Sequence, residues 1–358
     1  MEIKIPDALK ADVPATTFGK VLAATPVVMA VVSTMLAGLA SSEMTRAQYD
    51  RSLGAQQQSK AGDQWSFFQA KRLRGALQEH TADLLATTTE VRPLDPAALR
   101  GAAAGVPARP GAEAIQRELA AVLASPAGQQ ALGLLQSGAV PPTAGETAPD
   151  PRVKVALAAL ETFKPDAELV PLLAQVDDAM VAQALTAARD RAQAFDAATR
   201  PVNQAIDRIE ELLGRLTALA QERGARPGTD GAAAGAVVPA AAPAGAAGAP
   251  ERAPTLRELS RDFTAVRLRY AALRYETEAR LNQVIANMHE LEVRRSNFSA
   301  ERHHRRSQQF FFGMLGAQLG VIVATFALAA RNRNLLWSLA AAAGLIAVAF
   351  AVYVYLRV

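Results

Sequence analysis

Three long, strongly apolar stretches of this sequence contain no charged residue, and they constrain the fold more than any other feature. They cover residues 21–40, 310–330 and 335–356. A helix of about 20 residues crosses the roughly 30 Å hydrocarbon core of a bilayer, and each stretch has about that length. We therefore predict three transmembrane helices. The last two form a hairpin, because only residues 331–334 separate them.

The first span also has features of a cleaved signal peptide. Gly38, Leu39 and Ala40 come directly before Ser41 and resemble the small-residue pattern of a processing site. However, the apolar stretch is longer than the core of a usual signal peptide, and the residues before it carry acidic as well as basic side chains. We therefore predict that this segment is a membrane anchor, preceded by a tail over residues 1–20.

Positive charges next to the spans predict the orientation. Three spans place the central region and the C-terminus on one side, which is the side richer in Arg; the other side carries Lys4, Lys10, Lys20, Arg331 and Arg333. The positive-inside rule then places the central region and the C-terminus in the cytoplasm. Arg331 and Arg333 argue for the opposite orientation, because they occupy a short loop, where the rule applies best.

Small residues recur at spacings of three or four along the second span. Gly316, Gly320 and Ala324 share one side of that helix, where they let another helix approach closely. This side predicts packing within the hairpin or against the first span, or contact between the subunits of a homo-oligomer. Since no span contains an ionisable residue, the sequence gives little support to an ion-coupled transporter.

Residues 255–309 have the pattern of a coiled-coil helix that leads to the second span. Apolar residues alternate at spacings of three and four, with one four-residue stutter at Thr277. The predicted seam consists of Leu256, Leu259, Phe263, Val266, Tyr270, Leu273, Leu281, Val284, Met288 and Leu291. Charged residues flank it, so this helix requires a partner along one face and water along the others.

A second long helix is predicted over residues 41–88, directly after the first span. It places Ala70, Leu73, Leu77 and Leu84 on one face. Because this helix and the coiled-coil helix both start at the membrane, we expect them to lie side by side as a stalk of about 70 Å, at about 1.5 Å per residue. The predicted fold is an all-α membrane protein with three transmembrane helices and a long antiparallel helical or coiled-coil stalk.

The chain between the two stalk helices is less regular. Residues 91–175 contain many prolines, which predict short helices in a small cap or partial disorder. Residues 176–224 have helical spacing, and Pro201 is predicted to kink or break that helix. Residues 225–254 are dominated by Gly, Ala and Pro, which is typical of a flexible linker.

An aromatic segment after the first span is a candidate binding surface for another protein. Its candidate contact residues are Trp65, Phe67, Phe68 and Lys71, since aromatic anchors commonly dominate protein–protein binding. The alternative, which we favour on general grounds, is that Trp65 and Phe68 pack against the other arm of the stalk.

A basic cluster lies just outside the second span. Arg302, Arg305 and Arg306 suit the anionic headgroups of membrane lipids. A topology determinant that binds nothing specific explains the cluster equally well. His303 and His304 are adjacent and point about 100° apart on a helix, so they do not indicate a metal site.

Composition and motifs argue against catalysis. The chain has no cysteine, which excludes disulfides, thiolate metal sites and cysteine nucleophiles, and its net charge of +4 does not indicate nucleic-acid binding. It also lacks a glycine-rich phosphate loop, a nucleophile elbow and a paired His-Glu zinc motif. We therefore expect a protein that is not an enzyme and has no catalytic, cofactor or metal residues.

The first span and the aromatic segment resemble a known family. The segment contains Asp63, Gln64, Trp65, Phe67, Phe68, Gln69, Ala70 and Lys71. Together with the C-terminal hairpin, it is similar to an uncharacterised bacterial membrane-protein family of the domain of unknown function 4337 type. The resemblance covers about the first eighty and the last hundred residues, and the middle region is an enlargement. It implies a multi-pass protein of the bacterial inner membrane with a helical stalk and no known activity.

These features favour a structural or adaptor protein. Its coiled-coil stalk would hold an unknown protein partner, or a copy of itself, near the membrane. A sensor that transmits a change across the bilayer is one alternative, and it requires a ligand pocket between residues 91 and 223. An oligomeric pore lined by small-residue faces is the other, and it requires a ring of subunits. Membrane lipids are expected partners, and nucleic acid is not.

Overall fold

The computed structural model describes residues 17–104, 111–143, 149–221, 254–330 and 333–357. The regular secondary structure of these ranges is entirely α-helical, which confirms the predicted all-α fold. The helices of these ranges are α1 (Thr17–Thr88), α2 (Pro96–Ala104), α3 (Ala112–Ala124), α4 (Pro126–Ser137), α5 (Pro151–Glu161), α6 (Asp166–Leu173), α7 (Asp178–Gln221), α8 (Leu256–Ala329) and α9 (Arg333–Arg357). The predicted tail up to residue 16, the predicted linker over residues 225–253, and Arg331 and Asn332 of the hairpin turn lie outside the described residues.

Three of these helices, α1, α8 and α9, are long and apolar enough to cross a membrane, which confirms the three predicted spans. α1 contains the first span and the predicted helix over residues 41–88 without a break, although Pro26, Gly54 and Gly62 lie inside it. α8 joins the predicted coiled-coil region to the second span. Its continuity follows from its composition, because no Gly or Pro occurs between residues 256 and 312.

The chain divides into two compact units. The span unit comprises Met1–Ala61, Lys154–Asp177 and Met288–Val358, and the central unit comprises Gly62–Val153 and Asp178–Asn287. α1 and α8 each contribute residues to both units. Each unit has its own buried apolar cluster.

The core of the span unit forms between α1, α8 and α9. Its buried residues are Met29, Leu36, Ala40, Phe310, Ala317, Ala347 and Val354. Hydrogen bonds also link the helices: Ser307 Oγ donates to the carbonyl oxygen of Ala40 at 2.7 Å, and Trp337 Nε1 donates to Thr25 Oγ1 at 2.9 Å. Polar groups at membrane depth must find such partners inside the protein, so these bonds help to fix the positions of the helices.

The core of the central unit joins the short helices to α7 and α8. Its large buried residues are Leu94, Leu99, Ile115, Leu119, Leu123, Leu132, Leu135, Val202, Ile206, Ile209, Leu212, Leu213, Leu216, Leu259, Phe263 and Tyr270. Those of α7 recur every three or four residues, which places them on one side of the helix. In the described part of residues 91–175, the chain forms the short helices α2 to α6.

A tight corner connects α3 to α4. Ser125 follows the last residue of α3, and its Oγ accepts a 3.0 Å hydrogen bond from the backbone N–H of Gly128, while Pro126 is the first residue of α4. A Cβ atom at residue 128 would collide with the carbonyl oxygen of Val122, so this close approach requires glycine. Gly138 directly follows the last residue of α4, and its φ of 61° is left-handed and also favours glycine. Local sequence therefore specifies how these two helices turn.

α7 continues through Pro201, so of the kink or break predicted there, the break is wrong. Val202, Ile206 and Ile209 on the C-terminal side of this residue are buried in the core of the central unit. A proline inside a helix costs about 3 kcal/mol. Burial of each of those three side chains contributes about 1.5–3 kcal/mol, which offsets that cost.

Candidate functional site

In the central unit, α1 and α8 pack closely against each other. A Cβ atom at Gly75 of α1 would lie 3.4 Å from the carbonyl oxygen of Ala272 and 3.4 Å from Cβ of Tyr275, both on α8. Just after α1, the backbone N–H of Arg92 donates a 3.3 Å hydrogen bond to Asp262 Oδ1. Residues further along the chain from α1 thus contact residues earlier in α8. The two helices are therefore antiparallel in this unit, as the sequence predicts.

Charged and aromatic side chains join the two helices next to Gly75. Lys71 Nζ donates a hydrogen bond to Glu278 Oε2 and lies 5.5 Å from the centroid of the Tyr275 ring. Arg274 lies 4.3 Å from the same centroid, and its Nη1 donates to Glu278 Oε1 at 3.2 Å. The side chain of Glu278 is only 12% exposed, so its two basic neighbours compensate its charge in a site with little water. Lys71 thus takes part in the contact between α1 and α8.

The three aromatic residues of the candidate binding surface have different environments. The rings of Trp65 and Phe68 meet edge to face with centroids 5.4 Å apart, and both side chains are half-buried. Phe67 is 57% exposed. Only Phe67 of the three is therefore fully available to a partner.

The residues of the predicted seam are spread over both units. In the central unit Leu259, Phe263, Tyr270 and Leu281 are buried, whereas Leu256, Val266 and Leu273 are half-buried. Val284 is 37% exposed, and its neighbour Ile285 is buried instead. In the span unit Met288 and Leu291 are buried. Ile285 therefore takes the buried position that the predicted seam assigns to Val284.

The small residues of the second span are not equivalent. Gly320 lies against Met29 of α1, and a Cβ atom at residue 320 would overlap the end of the Met29 side chain. Gly344 of α9 contacts Met29 in the same way, and Ala324 is fully buried. Gly316 has open space on its Cβ side. Met29 thus occupies the space that two glycines leave.

The basic cluster is only partly engaged within the protein. Arg305 Nε donates a 2.9 Å hydrogen bond to Glu301, and this bond is the main reason why the pKa of Glu301 lies below its usual value. Arg302 is exposed, and Arg306 is half-buried with an Nε that has no hydrogen-bond partner. Among the described residues, no group of three or more His, Asp or Glu is placed to hold a metal ion.

A face of α1 that the sequence identifies as apolar is exposed in the central unit. Leu73, Leu77 and Leu84 are 72%, 61% and 64% exposed. The packed side of α1 instead contains Gly75 and Ala82, both buried. Residues two apart on a helix lie about 200° apart, so the three leucines point away from the packed side. The spacing of the leucines predicts that α1 has an apolar face. It does not indicate which face packs against α8, and Gly75 is the residue that marks the packed face.

Tyr270 is a buried polar residue within the contact between helices, and it gives a testable prediction. Its hydroxyl has no hydrogen-bond partner, and burial raises its pKa to about 12. We expect Tyr270→Phe to leave stability unchanged or to raise it by about 1–2 kcal/mol, because it removes an unsatisfied buried group. The measurement is chemical denaturation followed by circular dichroism at pH 8.

The raised pKa of Tyr270 also predicts that the stability difference between the wild type and Tyr270→Phe depends on pH. The usual tyrosine pKa of about 10 applies to the unfolded chain. A raised folded-state pKa means that stability is fully present below pH 10 and falls as the pH rises towards 12. The wild type should therefore lose stability relative to Tyr270→Phe between pH 8 and pH 11. A variant that is less stable than wild type at pH 8 would show that the hydroxyl has a partner.

The N-terminal part of the chain matches a known family. Residues 18–109 match the family model described as domain of unknown function (DUF4337). The DUF4337 region includes the first span, the aromatic segment, Gly75 and the exposed leucines. This match confirms the resemblance for the N-terminal part, and the C-terminal hairpin lies outside it. No curated protein and no solved structure is significantly similar to the chain.

Proposed function

We propose that this protein is a multi-pass structural or adaptor protein of the bacterial inner membrane, without catalytic activity. The observation that carries the proposal is that one helix combines a stretch long and apolar enough to cross a membrane with exposed apolar side chains. α1 contains the first apolar span, and further along it exposes Phe67 and three leucines. Exposed apolar side chains that lie together commonly mark a site of protein–protein contact.

The pairing of α1 with α8 supports a scaffold role. Gly75 lets the helices approach, and the ion pair between Lys71 and Glu278 and the buried Asp262 fix their relative positions in the central unit. We propose that the two helices pair as a coiled coil there. Such a pair orders the exposed face of α1 before any partner arrives, which lowers the entropy lost on binding.

Charges support the proposed orientation. Arg302, Arg305 and Arg306 follow the central region along the chain and precede the second span. Their side chains suit a cytoplasmic membrane surface, where anionic headgroups concentrate. In this arrangement, the central region and the C-terminus lie in the cytoplasm, and the protein partner is a cytoplasmic or membrane protein.

A photo-cross-linking experiment tests the adaptor role. A photoreactive amino acid replaces Phe67, and the full-length protein is irradiated in its native membranes. We expect a discrete adduct of this chain with one other polypeptide, identified by mass spectrometry. The matched control has the same amino acid in place of Glu79, which is exposed on another side of α1. Adducts that are equal at both positions, or absent at Phe67, would contradict partner binding at this surface.

A further inference from the structure

The exposed leucines of α1 form a regular stripe that nothing else in the described part of the central unit covers. We define the leucine stripe as Ala70, Leu73, Leu77 and Leu84. All four residues are exposed, and their spacings of three, four and seven are those of core positions in a heptad repeat. The heptad repeat has one further core position between Leu77 and Leu84. His80 occupies it and is also exposed.

We propose that the leucine stripe pairs with the same stripe of a second copy of this chain, as a parallel two-stranded coiled coil. The inference rests on the proposed function, because it names one partner of the scaffold. A period of 3.5 residues keeps a stripe in contact with a second helix only when the two helices wind around each other. The stripe therefore fits another helix better than it fits a flat protein surface.

The membrane anchor determines the direction of pairing. The first span and the leucine stripe belong to one helix, and all copies enter the bilayer with the same orientation. The leucine stripes of two copies that lie side by side therefore run in the same N- to C-terminal direction. In such a symmetric pair each leucine faces its own counterpart, which gives layers of identical residues.

The charges beside the stripe are compatible with this parallel arrangement. In a parallel coiled coil, the residue directly before the first core position of a heptad faces the residue five positions later in the other helix. This rule places Gln69 opposite Arg74 of the second copy, and Asp83 opposite Thr88. No like charges oppose each other at these positions, and His80 would form one polar layer between the layers of Leu77 and Leu84.

The stripe is short, which makes its pairing depend on the membrane. It extends over two heptads, and isolated helical pairs of that length are marginal in water. Anchoring in the same bilayer raises the effective concentration of the copies. The pairing therefore needs the full-length protein in a membrane, and the test has to be done there.

The absence of native cysteine makes a direct test possible. Leu73→Cys, Leu77→Cys and Leu84→Cys are made singly, and native membranes are treated with a mild oxidant. Because a disulfide needs Cβ atoms about 4 Å apart, we expect roughly tenfold more cross-linked dimer than for Arg72→Cys and Glu79→Cys. Those two control positions are also exposed but lie on other sides of α1. Adding Leu77→Glu to Leu84→Cys should abolish the dimer.

The outcomes separate this inference from the proposed function. Equal cross-linking at stripe and control positions would show random collision and overturn the parallel pair. Little dimer at the stripe, together with a foreign adduct at Phe67, would overturn the pair and leave the adaptor function standing. Little dimer and no adduct would overturn both. Since the leucines are exposed, these substitutions leave the core intact, and circular dichroism of each variant checks this.

Discussion

Replacement of Phe263 by alanine should destabilise the central unit by about 3–5 kcal/mol, the usual cost of removing a buried phenylalanine ring. Phe263 is 0% exposed and belongs to the same core as Leu119, Ile209 and Leu259. The truncation leaves a cavity that helices from distant parts of the chain cannot easily close. The loss is measured by denaturant titration of the purified protein in detergent, followed by circular dichroism at 222 nm.

A second phenylalanine provides a matched control for this prediction. Phe163 is 93% exposed, so Phe163→Ala removes the same atoms from a side chain in water. Its φ of 51° is unfavourable for both residues alike, and the substitution does not relieve that strain. We expect a change of less than about 0.5 kcal/mol. Equal losses for the two variants would contradict the assignment of Phe263 to the core.

Leucine in place of Gly320 should disrupt the packing of the three spans. The end of the Met29 side chain occupies the space beside Gly320 and also contacts Gly344. Met29 is buried and has flexible bonds, so it can yield to one methyl group but not to a whole leucine side chain. Overpacking of this kind costs about 1–3 kcal/mol. The readout is the melting temperature in detergent.

The same helix supplies the control and a rescue. Gly316 has open space on its Cβ side, so Gly316→Leu should leave the melting temperature unchanged. Met29→Ala combined with Gly320→Leu should recover part of the loss, because it removes the group that the leucine meets. A lower melting temperature for Gly316→Leu than for Gly320→Leu would contradict this packing.

Hydropathy and spacing predicted the helices and the spans well, because both depend on local composition. The uninterrupted course of α8 follows from the absence of Gly and Pro between residues 256 and 312, whereas α1 is continuous although it contains Gly54, Gly62 and Gly75. The break that was one of the two expectations at Pro201 does not occur, since the local cost of a proline does not include the burial of Val202 and Ile206, which lie in a core built from helices far away in the sequence. Likewise, no local signal shows that Ile285 replaces Val284 on the buried side of α8.

The candidate site was predictable only in part. The aromatic segment was visible in the sequence, but its division into the half-buried pair Trp65 and Phe68 and the exposed Phe67 was not. The contact of Lys71 with Glu278 joins residues that are far apart in the chain, so it depends on the register of two helices. An apolar stripe alone does not show whether it faces the protein or the solvent.

The chain has only two tryptophans, and each unit contains one of them. Trp65 belongs to the central unit, and Trp337 belongs to the span unit, where its indole N–H is hydrogen-bonded to Thr25. Intrinsic fluorescence of a Trp337→Phe variant therefore reports on the central unit alone, and that of a Trp65→Phe variant on the span unit alone. Unfolding curves from this pair of variants would coincide for a single cooperative transition and separate for two independent ones.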